Sequence, residues 1–516
     1  MRENAKWYKR RWLALSFLAF SLLVISLDNT VLNLALPSIS KDLGSSGTGL
    51  QWIVDAYVLA FAGLLLTMGS LGDRLGRKKF LQGGLVVFAC FSLGAALSKS
   101  TSMLIAMRAM MGIGGAAIMP STLSILTATF RNRRERAQAI ALWTAVFALG
   151  WGIGPLIGGW LLTHFNWSSV FYINLPIVAI GLIGGKFFIQ DSKAEKPRKT
   201  DIPGSILSIV GLFALIYGII QAAIDGWTAF NVWFSLEAAV VILVVFACWE
   251  LRTKNAMLPL RFFKNMSFTG ANLTLTLVAF ALMGCLFFLS QYLQSVHGYT
   301  PLQAGIRLLP IAGASFIGAT LSARIAQQIN TKITVGLGLI IGAAGLFYFC
   351  QVAAVDTSYL KIAIGMGIVA LGVGIAMSPA TNSIMGSIPV SEAGVGSAMN
   401  DTTRQIGGAL GVAVLGTLSN SAYIGKINGT SWPVPLPSQL VAAIRSSVQG
   451  AHIAAQNVAD PQLSRSIIST ANQAFTSSMT HALLIAGIIL VVTSIVTILI
   501  LPARVRPYRE KVRHLP

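Results

Sequence analysis

A carboxylate interrupts the first apolar stretch of this 516-residue chain. Residues 12–26 carry no charge, and Asp28 follows within SLDNTVLNLALP (26–37). Two more charged side chains, Asp55 and Arg108, occur in later apolar stretches. A carboxylate among apolar groups holds a proton more readily than it does in water, whereas a nearby guanidinium opposes this. Such residues could therefore bind and release a proton when their surroundings change.

The composition indicates what surrounds these residues. Hydrophobic residues make up 54% of the chain and charged residues 11%, whereas soluble domains carry about 25% charged residues. Mean hydropathy is +0.71. Apolar runs of about 20 residues, enough to cross about 30 Å of hydrocarbon as a helix, recur along the chain. Because backbone groups in lipid must be bonded within their own segment, we predict an all-α polytopic membrane protein.

Fourteen spans are predicted, and they divide the chain into three parts. Residues 1–190 form an N-terminal six-helix bundle, and residues 191–265 form a two-helix insert with flanking loops. Residues 266–516 form a C-terminal six-helix bundle that includes a long extracellular excursion at 424–477, which could be a lid or a tether. The predicted spans are 12–36, 48–70, 80–98, 102–126, 137–163, 169–190, 203–223, 231–251, 267–290, 302–325, 333–354, 360–385, 402–423 and 478–501.

The formal charge of +21 is spread along the chain and reports topology. With an even number of spans both termini lie on one side, and 28 of the 38 Lys and Arg residues fall on that side against six on the other. This asymmetry places both termini in the cytoplasm and the protein in the cytoplasmic membrane. Because the basic residues do not form one surface, a nucleic-acid partner is not expected.

Other classes of protein find little support. The four cysteines lie within predicted spans and are expected to be small packing residues. The chain has no His-Glu-x-x-His, Gly-x-Ser-x-Gly or nucleotide-binding loop and no large soluble domain. We therefore expect neither an enzyme nor a sensor, and no metal site.

The depth of the charged residues indicates which of them could meet. At 1.5 Å per residue, Asp28 lies about 12 Å below the outer surface, and Asp55 and Arg108 lie about 9 Å below it. We expect these residues to share a layer and to act in proton coupling or substrate binding, because charges inside membranes are usually functional. The alternative is a static ion pair between spans one and four. Arg307 in span ten is a further candidate, which could pair with a carboxylate or lie near the interface.

Aromatic side chains accompany these charges. Trp143, Phe147 and Trp151 recur every four residues on span five, and Trp52 and Tyr57 flank Asp55. Aromatic faces beside a carboxylate suit a lipophilic cation. The alternative is that these rings form packing or lipid contacts.

Four stretches resemble the major facilitator superfamily. GSLGDRLGRKKF (69–80) is similar to its signature loop between spans two and three, and LIAMRAMMGIGGAAIMP (104–120) to its buried-arginine span. GWGIGPLIGGW (150–160) resembles the antiporter motif of span five, and LDNTVLNLALP (27–37) resembles the first span of the fourteen-helix, QacA- and EmrB-like drug–proton antiporters. The residues that fall on the loop and antiporter patterns are Gly69, Asp73, Arg74, Gly76, Arg77 and Lys78, and Gly150, Gly154, Pro155, Gly158 and Gly159.

This resemblance implies a major facilitator fold of fourteen helices arranged as six, two and six. It also implies efflux of lipophilic, monocationic drugs by alternating access, in a monomer driven by the proton-motive force without a cofactor. Asp73 and the loop glycines suit a latch that closes the cytoplasmic side, although positive-inside anchoring could explain the basic residues alone. In span five the small residues allow close helix contact and Pro155 favours a bend. That this motif enforces exchange comes from the resemblance only.

The chain also departs from some members of this branch. IAGASF (311–316) in span ten lacks an acid, and so does GGALGVAVLGTL (407–418) in span thirteen. Asp401 and Arg404 are expected at the cytoplasmic mouth of span thirteen, where they would cap or gate it. These absences favour monocationic over dicationic substrates. An exporter of an endogenous lipid, siderophore or metabolite is the alternative function.

Overall fold

The computed structural model describes residues 10–192, 201–253, 255–430, 432 and 437–503. The basic residues predicted to mark the cytoplasmic side within 1–9, 193–199 and 504–516 lie outside the described residues. The described elements are helical, and a helical turn at Ser169–Tyr172 precedes α6. The helices are α1 (Arg11–Leu43), α2 (Gly47–Leu75), α3 (Arg77–Ala96), α4 (Thr101–Thr129), α5 (Arg133–His164), α6 (Asn174–Phe188), α7 (Ile202–Asp225), α8 (Phe230–Arg252), α9 (Met266–Gln291), α10 (Pro301–Ile329), α11 (Thr331–Val352), α12 (Tyr359–Gly386), α13 (Ala393–Asn428), α14 (Ser438–Ser446), α15 (Val448–Gln456) and α16 (Pro461–Ile500).

Side-chain caps fix where several of these helices begin. Ser46 and Ser100 accept from the backbone N–H of the third residue beyond them, at the starts of α2 and α4. Thr300 and Gln303 form a reciprocal capping box at the start of α10. Such caps satisfy N–H groups that have no partner in the first helical turn. Polar capping residues therefore determine where these helices start, and apolar residues form their interiors.

Thirteen helices within the described residues are long and apolar enough to cross a membrane. They match thirteen of the fourteen predicted spans. The predicted span 402–423 lies within α13, which has 36 residues but a stretch too polar to reach the same hydropathy. The prediction of a polytopic all-α protein is confirmed, and fourteen spans remains a prediction.

Among the boundaries that differ from the sequence prediction, two lie in segments whose polar residues were interpreted as loops. The signature loop expected between spans two and three is reduced to Gly76, whose φ of +103° lies in the region that favours glycine. The last helix begins at Pro461 rather than near 478. Much of the excursion 424–477 is consequently helical. Its described part packs on the bundle, since Ile444 and Ala451 are fully buried and the Tyr423 hydroxyl donates to the Ile444 carbonyl.

The helices pack in two groups joined by a few long contacts. In the first, α4 lies along α2 and α3, and α1 along α5 and α6. In the second, α12 lies along α10 and α11, and α16 along α11, α9 and α13. The groups meet where α5 packs along α10 and where α13 packs along α2 and α4. The α2–α13 seam holds Gly69 and Asp73, and the α5–α10 seam holds Pro155 and Gly159.

The helices α7 and α8 form a pair outside both groups. α7 packs on α2 and on α13. The Thr67 and Ser208 hydroxyls are 3.5 Å apart across the first contact, and Trp227 Nε1 donates to Thr417 Oγ1 at 3.1 Å beyond the end of α7. The pair therefore covers the α2–α13 seam from outside.

Contacts between helix ends identify one common side of the bundle, which we call the termini side. Arg11 at the start of α1 pairs with Glu135 at the start of α5, and Arg134 donates to Gln327 near the end of α10. The Thr331 N–H, at the start of α11, bonds to the Ala503 carbonyl after α16. The start of the first described helix, α1, and the end of the last, α16, thus lie on the same side.

Candidate functional site

The structure brings Asp28 and Arg108 together as a buried ion pair. Asp28 on α1 is 3% exposed and Arg108 on α4 is 1% exposed. Arg108 Nη1 lies 2.5 Å from Asp28 Oδ2. The other carboxylate oxygen accepts from Asn174 Nδ2 on α6 at 3.2 Å. Three helices of the first group therefore meet at one carboxylate whose two oxygens are both bonded.

The partners of this pair are themselves held in place. Arg108 Nε donates to the Ile53 carbonyl at 3.2 Å, and its guanidinium carbon lies 4.3 Å from the centroid of the Tyr57 ring. Asn174 Nδ2 also lies 3.1 Å from Ser92 Oγ. Sequence reasoning missed Asn174 and Ser92. An amide within the apolar stretch FYINLP was the available signal for Asn174.

Asp55 and Arg307 do not join this cluster. Asp55 is half-buried on α2 and accepts from Gln51 Nε2, one turn earlier, at 3.1 Å. Arg307 on α10 is half-buried and lies over the Tyr299 ring at 3.8 Å from its centroid, with the Tyr359 ring at 5.4 Å. Neither residue forms an ion pair within the described part of the chain. Of the three charged residues expected to share a layer, Asp28 and Arg108 are paired and Asp55 is not.

The aromatic residues separate into three ring contacts instead of one pocket. Trp52 is 38% exposed and stacks on Tyr217 of α7. Tyr57 is buried and stacks on Phe61 under Arg108. Trp143 stacks on Phe147 and donates from Nε1 to Thr122 Oγ1 at 3.1 Å. Packing accounts for the Trp52 contact, whereas the Tyr57 and Phe147 rings each lie against a buried arginine.

The predicted latch residues form a bridge between the two groups of helices. Asp73 Oδ1 accepts from Arg77 Nε at 2.7 Å, and Asp73 Oδ2 accepts from the Gly394 N–H at 2.8 Å. Gly394 lies in the first turn of α13, where N–H groups lack helical partners and favour a negative charge. Arg77 also donates to the Val390 carbonyl at 2.5 Å. All these residues lie on the termini side.

The remaining residues of the signature motif pack around this bridge. A Cβ on Gly69 would clash with the Gly394 carbonyl, so this glycine permits the close crossing of α2 and α13. A Cβ on Gly76 would lie 3.1 Å from the Asp191 carboxylate. Lys78 Nζ donates to the Lys186 carbonyl at the end of α6, and Arg74 is half-buried. Anchoring by charge alone would not require the Asp73 contact with α13.

The glycines of the antiporter motif make close contacts on two faces of α5. Gly150 and Gly154 lie against Ser26 and Thr30 of α1, where a Cβ would overlap each hydroxyl. Gly158 also faces α1, at Val31 and Leu34. On the other face, Gly159 lies against Leu302, and Pro155 contacts Gly305 of α10. Pro155 lies within an uninterrupted helix. The expected close packing is therefore present, and one face of α5 forms the seam between the two groups.

The structure corrects the position that the sequence predicted for Asp401. It was expected at the cytoplasmic mouth of span thirteen, but α13 begins at Ala393, so Asp401 lies about 12 Å along the helix at 1.5 Å per residue. Asp401 is 2% exposed. The early start of α13 escaped prediction because VGSAMND (395–401) is too polar to be recognised as part of a span.

Comparison with known proteins agrees with this architecture. The family model described as Major Facilitator Superfamily matches residues 18–412. The chain is 33% identical to the multidrug efflux pump LfrA of Mycolicibacterium smegmatis over 94% of this chain and 95% of that one. It is 32% identical to the tetracenomycin C resistance and export protein of Streptomyces glaucescens, over 95% of this chain and 91% of the relative.

A solved structure shows the same fold at much lower sequence identity. The proton:xylose symporter XylE superposes with a TM-score of 0.63 at 11% identity, over 97% of this chain and 98% of the XylE chain. At this identity the likeness concerns the fold alone. Together with the family match over most of the sequence, it identifies the chain as a multi-pass membrane transporter that belongs to the major facilitator superfamily.

Proposed function

We propose that this protein exports lipophilic, monocationic drugs or toxic compounds from the cell in exchange for protons, by alternating access. The observation that carries the proposal is the buried Asp28–Arg108 pair in the first group of helices. The export of drugs is supported by the relatives, which are named as an efflux pump and as a resistance and export protein. The pair supplies a chemical means of coupling that export to protons.

Coupling follows from what Arg108 does to Asp28. At 2.5 Å the Arg108 guanidinium compensates the charge of the Asp28 carboxylate while the pair is closed. If α1 and α4 move apart, Asp28 loses this stabilisation in an apolar site and takes up a proton from water. Restoring the pair expels that proton. Movement of the two helices thus becomes uptake on one side and release on the other.

The Asp73 bridge supports alternating access. It ties α2 of one group to the N-terminus of α13 in the other, on the termini side. In our proposal this side is the cytoplasm, as the loop charges predict. Breaking the bridge would let the two groups separate there and would admit cargo. The bridge and the Asp28 pair act on α2 and α4, which pack along each other.

The proposed organisation is a monomer with two six-helix bundles, 1–190 and 266–516, and the insert 191–265 beside them. Helix packing supports this division, because α1–α6 contact one another and α9–α13 contact one another and α16. Cargo would bind between the bundles. The neutral segment 311–316 supports a monocation, because no second acid faces the cargo from that part of α10.

Asp28→Asn tests the proton coupling. The variant should be purified, placed in liposomes and compared with Asp42→Asn, which changes an exposed acid at the end of the same helix. The probe is tetraphenylphosphonium, a lipophilic monocation. We expect a pH gradient to drive its accumulation in wild type and in Asp42→Asn, and at least a tenfold smaller accumulation in Asp28→Asn. Unchanged accumulation in Asp28→Asn would contradict the assignment of Asp28.

The alternative function is the export of an endogenous lipid, siderophore or metabolite. It uses the same helices and the same proton exchange, so the coupling test does not separate the two. A panel of lipophilic cations, lipids and siderophores, each tested for release of protons by purified protein, does so. Proton release by the neutral or anionic compounds and not by cations would favour the alternative.

A further inference from the structure

A second buried acid–arginine pair lies in the other group of helices. Asp401 and Arg404 are one turn apart on α13, with Arg404 Nη1 4.0 Å from Asp401 Oδ1. The side chain of Asp401 is 1% exposed and that of Arg404 is 10% exposed. The corresponding distance in the Asp28–Arg108 pair is 2.5 Å. The pair in α13 is therefore the looser of the two.

The two oxygens of Asp401 are unequal. Oδ1 accepts from Asn400 Nδ2 at 3.0 Å, and Asn400 is in turn fixed by Thr381 of α12 through a 3.0 Å hydrogen bond. Oδ2 is buried and has no hydrogen-bond partner within the described residues. A buried carboxylate oxygen without a donor is costly when it carries charge. A proton on Oδ2 would remove that charge and leave the bond from Asn400 unchanged.

Arg404 connects this carboxylate to the other group. Its guanidinium carbon lies 4.4 Å from the centroid of the Phe147 ring on α5. An arginine over an aromatic face is attracted to it, so Phe147 competes with Asp401 for the guanidinium. When α5 and α13 move relative to each other, the position of Arg404 must change. The stabilisation that Arg404 gives to the Asp401 carboxylate then depends on which side of the transporter is open.

The other neighbours of Asp401 do not form ion pairs with it, so they do not control its ionisation. Facing α13 on the helices packed against it are Asn272 of α9 and Thr381 of α12, neither of which titrates. α2 presents the paired Asp73 and Arg77 to the first turn of α13. Within the described residues no ion pair links Asp401 to α4, α7 or α16. Arg404 is the charged group that governs its ionisation.

We infer that Asp401 is a second proton-exchanging group, positioned by Asn400 and controlled by the movement of Arg404 between Asp401 and Phe147. The inference rests on the proposed function. In the exchange step one proton from water forms an O–H bond at Asp401 Oδ2, and the same proton returns to water when Arg404 approaches. No other bond forms or breaks. Asp28 and Asp401 would thus serve one cycle from opposite groups of helices.

The test counts protons in purified protein. Tetraphenylphosphonium is added to wild type, Asp401→Asn, Asp401→Glu and the control Asp225→Asn, whose acid is exposed at the end of α7. Proton release per bound probe is followed with a pH-indicator dye in weak buffer. We expect Asp401→Asn to release about one proton fewer than wild type, and both Asp401→Glu and Asp225→Asn to match wild type. Equal release from Asp401→Asn and wild type would overturn the inference while leaving the proposed function intact.

Exchange of labelled for unlabelled probe across liposomes, without any gradient, separates proton binding from cargo binding. We expect Asp401→Asn to retain this exchange within threefold of wild type and to lose part of its accumulation driven by a pH gradient. If a folded Asp401→Asn protein loses exchange, Asp401 binds cargo and the inference is wrong. If wild type neither binds nor moves the probe, the proposed function itself fails.

Discussion

Replacing Asp73 by asparagine should shift the protein away from the state closed on the termini side. The carboxylate is 5% exposed, pairs with Arg77 at 2.6 Å and accepts from the Gly394 N–H at 2.8 Å. Asparagine keeps one acceptor oxygen but loses the charge. Hydrogen bonds to charged groups contribute about 1.5–3 kcal/mol, against about 1 kcal/mol for neutral ones. The ion pair with Arg77 lies within one group of helices, so only the bond to Gly394 distinguishes the closed state; losing its surplus should cost about 1 kcal/mol, which changes the ratio of closed to open protein about fivefold.

Spin labels on the two groups of helices can measure this ratio. Arg131 and Gln328 are both exposed on the termini side, next to the bond from Arg134 to Gln327. Cysteines are introduced at 131 and 328 in a chain whose four native cysteines are replaced. Spin labels attached to them report the distance between the two positions by pulsed electron–electron double resonance. We expect a longer distance to gain population in Asp73→Asn, and the wild-type distribution to persist in the exposed-site control Asp356→Asn.

A second variant distinguishes the bridge from simple loss of a buried charge. Asp73→Asn leaves Arg77 2% exposed with no carboxylate beside it, and an uncompensated buried charge is itself destabilising. Adding Arg77→Gln removes that charge, so the double variant should unfold at a higher temperature than Asp73→Asn alone while keeping the longer distance. Identical distance distributions in wild type and Asp73→Asn would refute the assignment of the bridge as a latch.

Two further outcomes follow from the packing and the charges. Gly154→Ala should lower the melting temperature in detergent, because its Cβ would lie 2.9 Å from the Thr30 Cβ and overpacking costs about 1–3 kcal/mol. The control Gly313→Ala, whose Cβ would meet nothing within 4 Å, should leave the melting temperature unchanged. Equal melting temperatures for the two variants would contradict the close contact at Gly154. Burial and Arg307 lower the pKa of His297, which lies outside the spans, from 6.5. Unfolded chains then bind the proton more readily, so stability should fall as pH drops below about 6.5, and His297→Gln should flatten that dependence in melting curves from pH 8 to 5.

The sequence predicts helices and the Asp28–Arg108 pair because both depend on position along the chain. Depth along an α-helix follows from residue number, so two charges at similar depth on neighbouring spans can be expected to meet. The partner of Asp73 could not be predicted in this way. Gly394 lies 321 residues further along, and its contribution is a backbone N–H that any residue except proline would carry.

Other misses have a different physical cause. Asp401 was placed at a helix end because buried polar residues resemble a loop when only hydropathy is considered. Asn174 was overlooked because a single amide hardly changes the hydropathy of an apolar span. Trp52 was grouped with Tyr57 by proximity in sequence, but five residues along a helix place two side chains on different faces. The first two errors come from judging residues by hydropathy alone, and the third from neglecting the periodicity of the helix.

The paired helices α7 and α8 affect how a lipophilic molecule can reach the transporter. α7 lies across the contact between α2 and α13 and bonds to α2 through Ser208. Just beyond the end of α7, Trp227 bonds to α13. A compound dissolved in the surrounding leaflet therefore meets packed helices along this contact. Lateral entry from the lipid is blocked along that flank. A solute that partitions into the bilayer must enter elsewhere, by the opposite flank or from the aqueous phase.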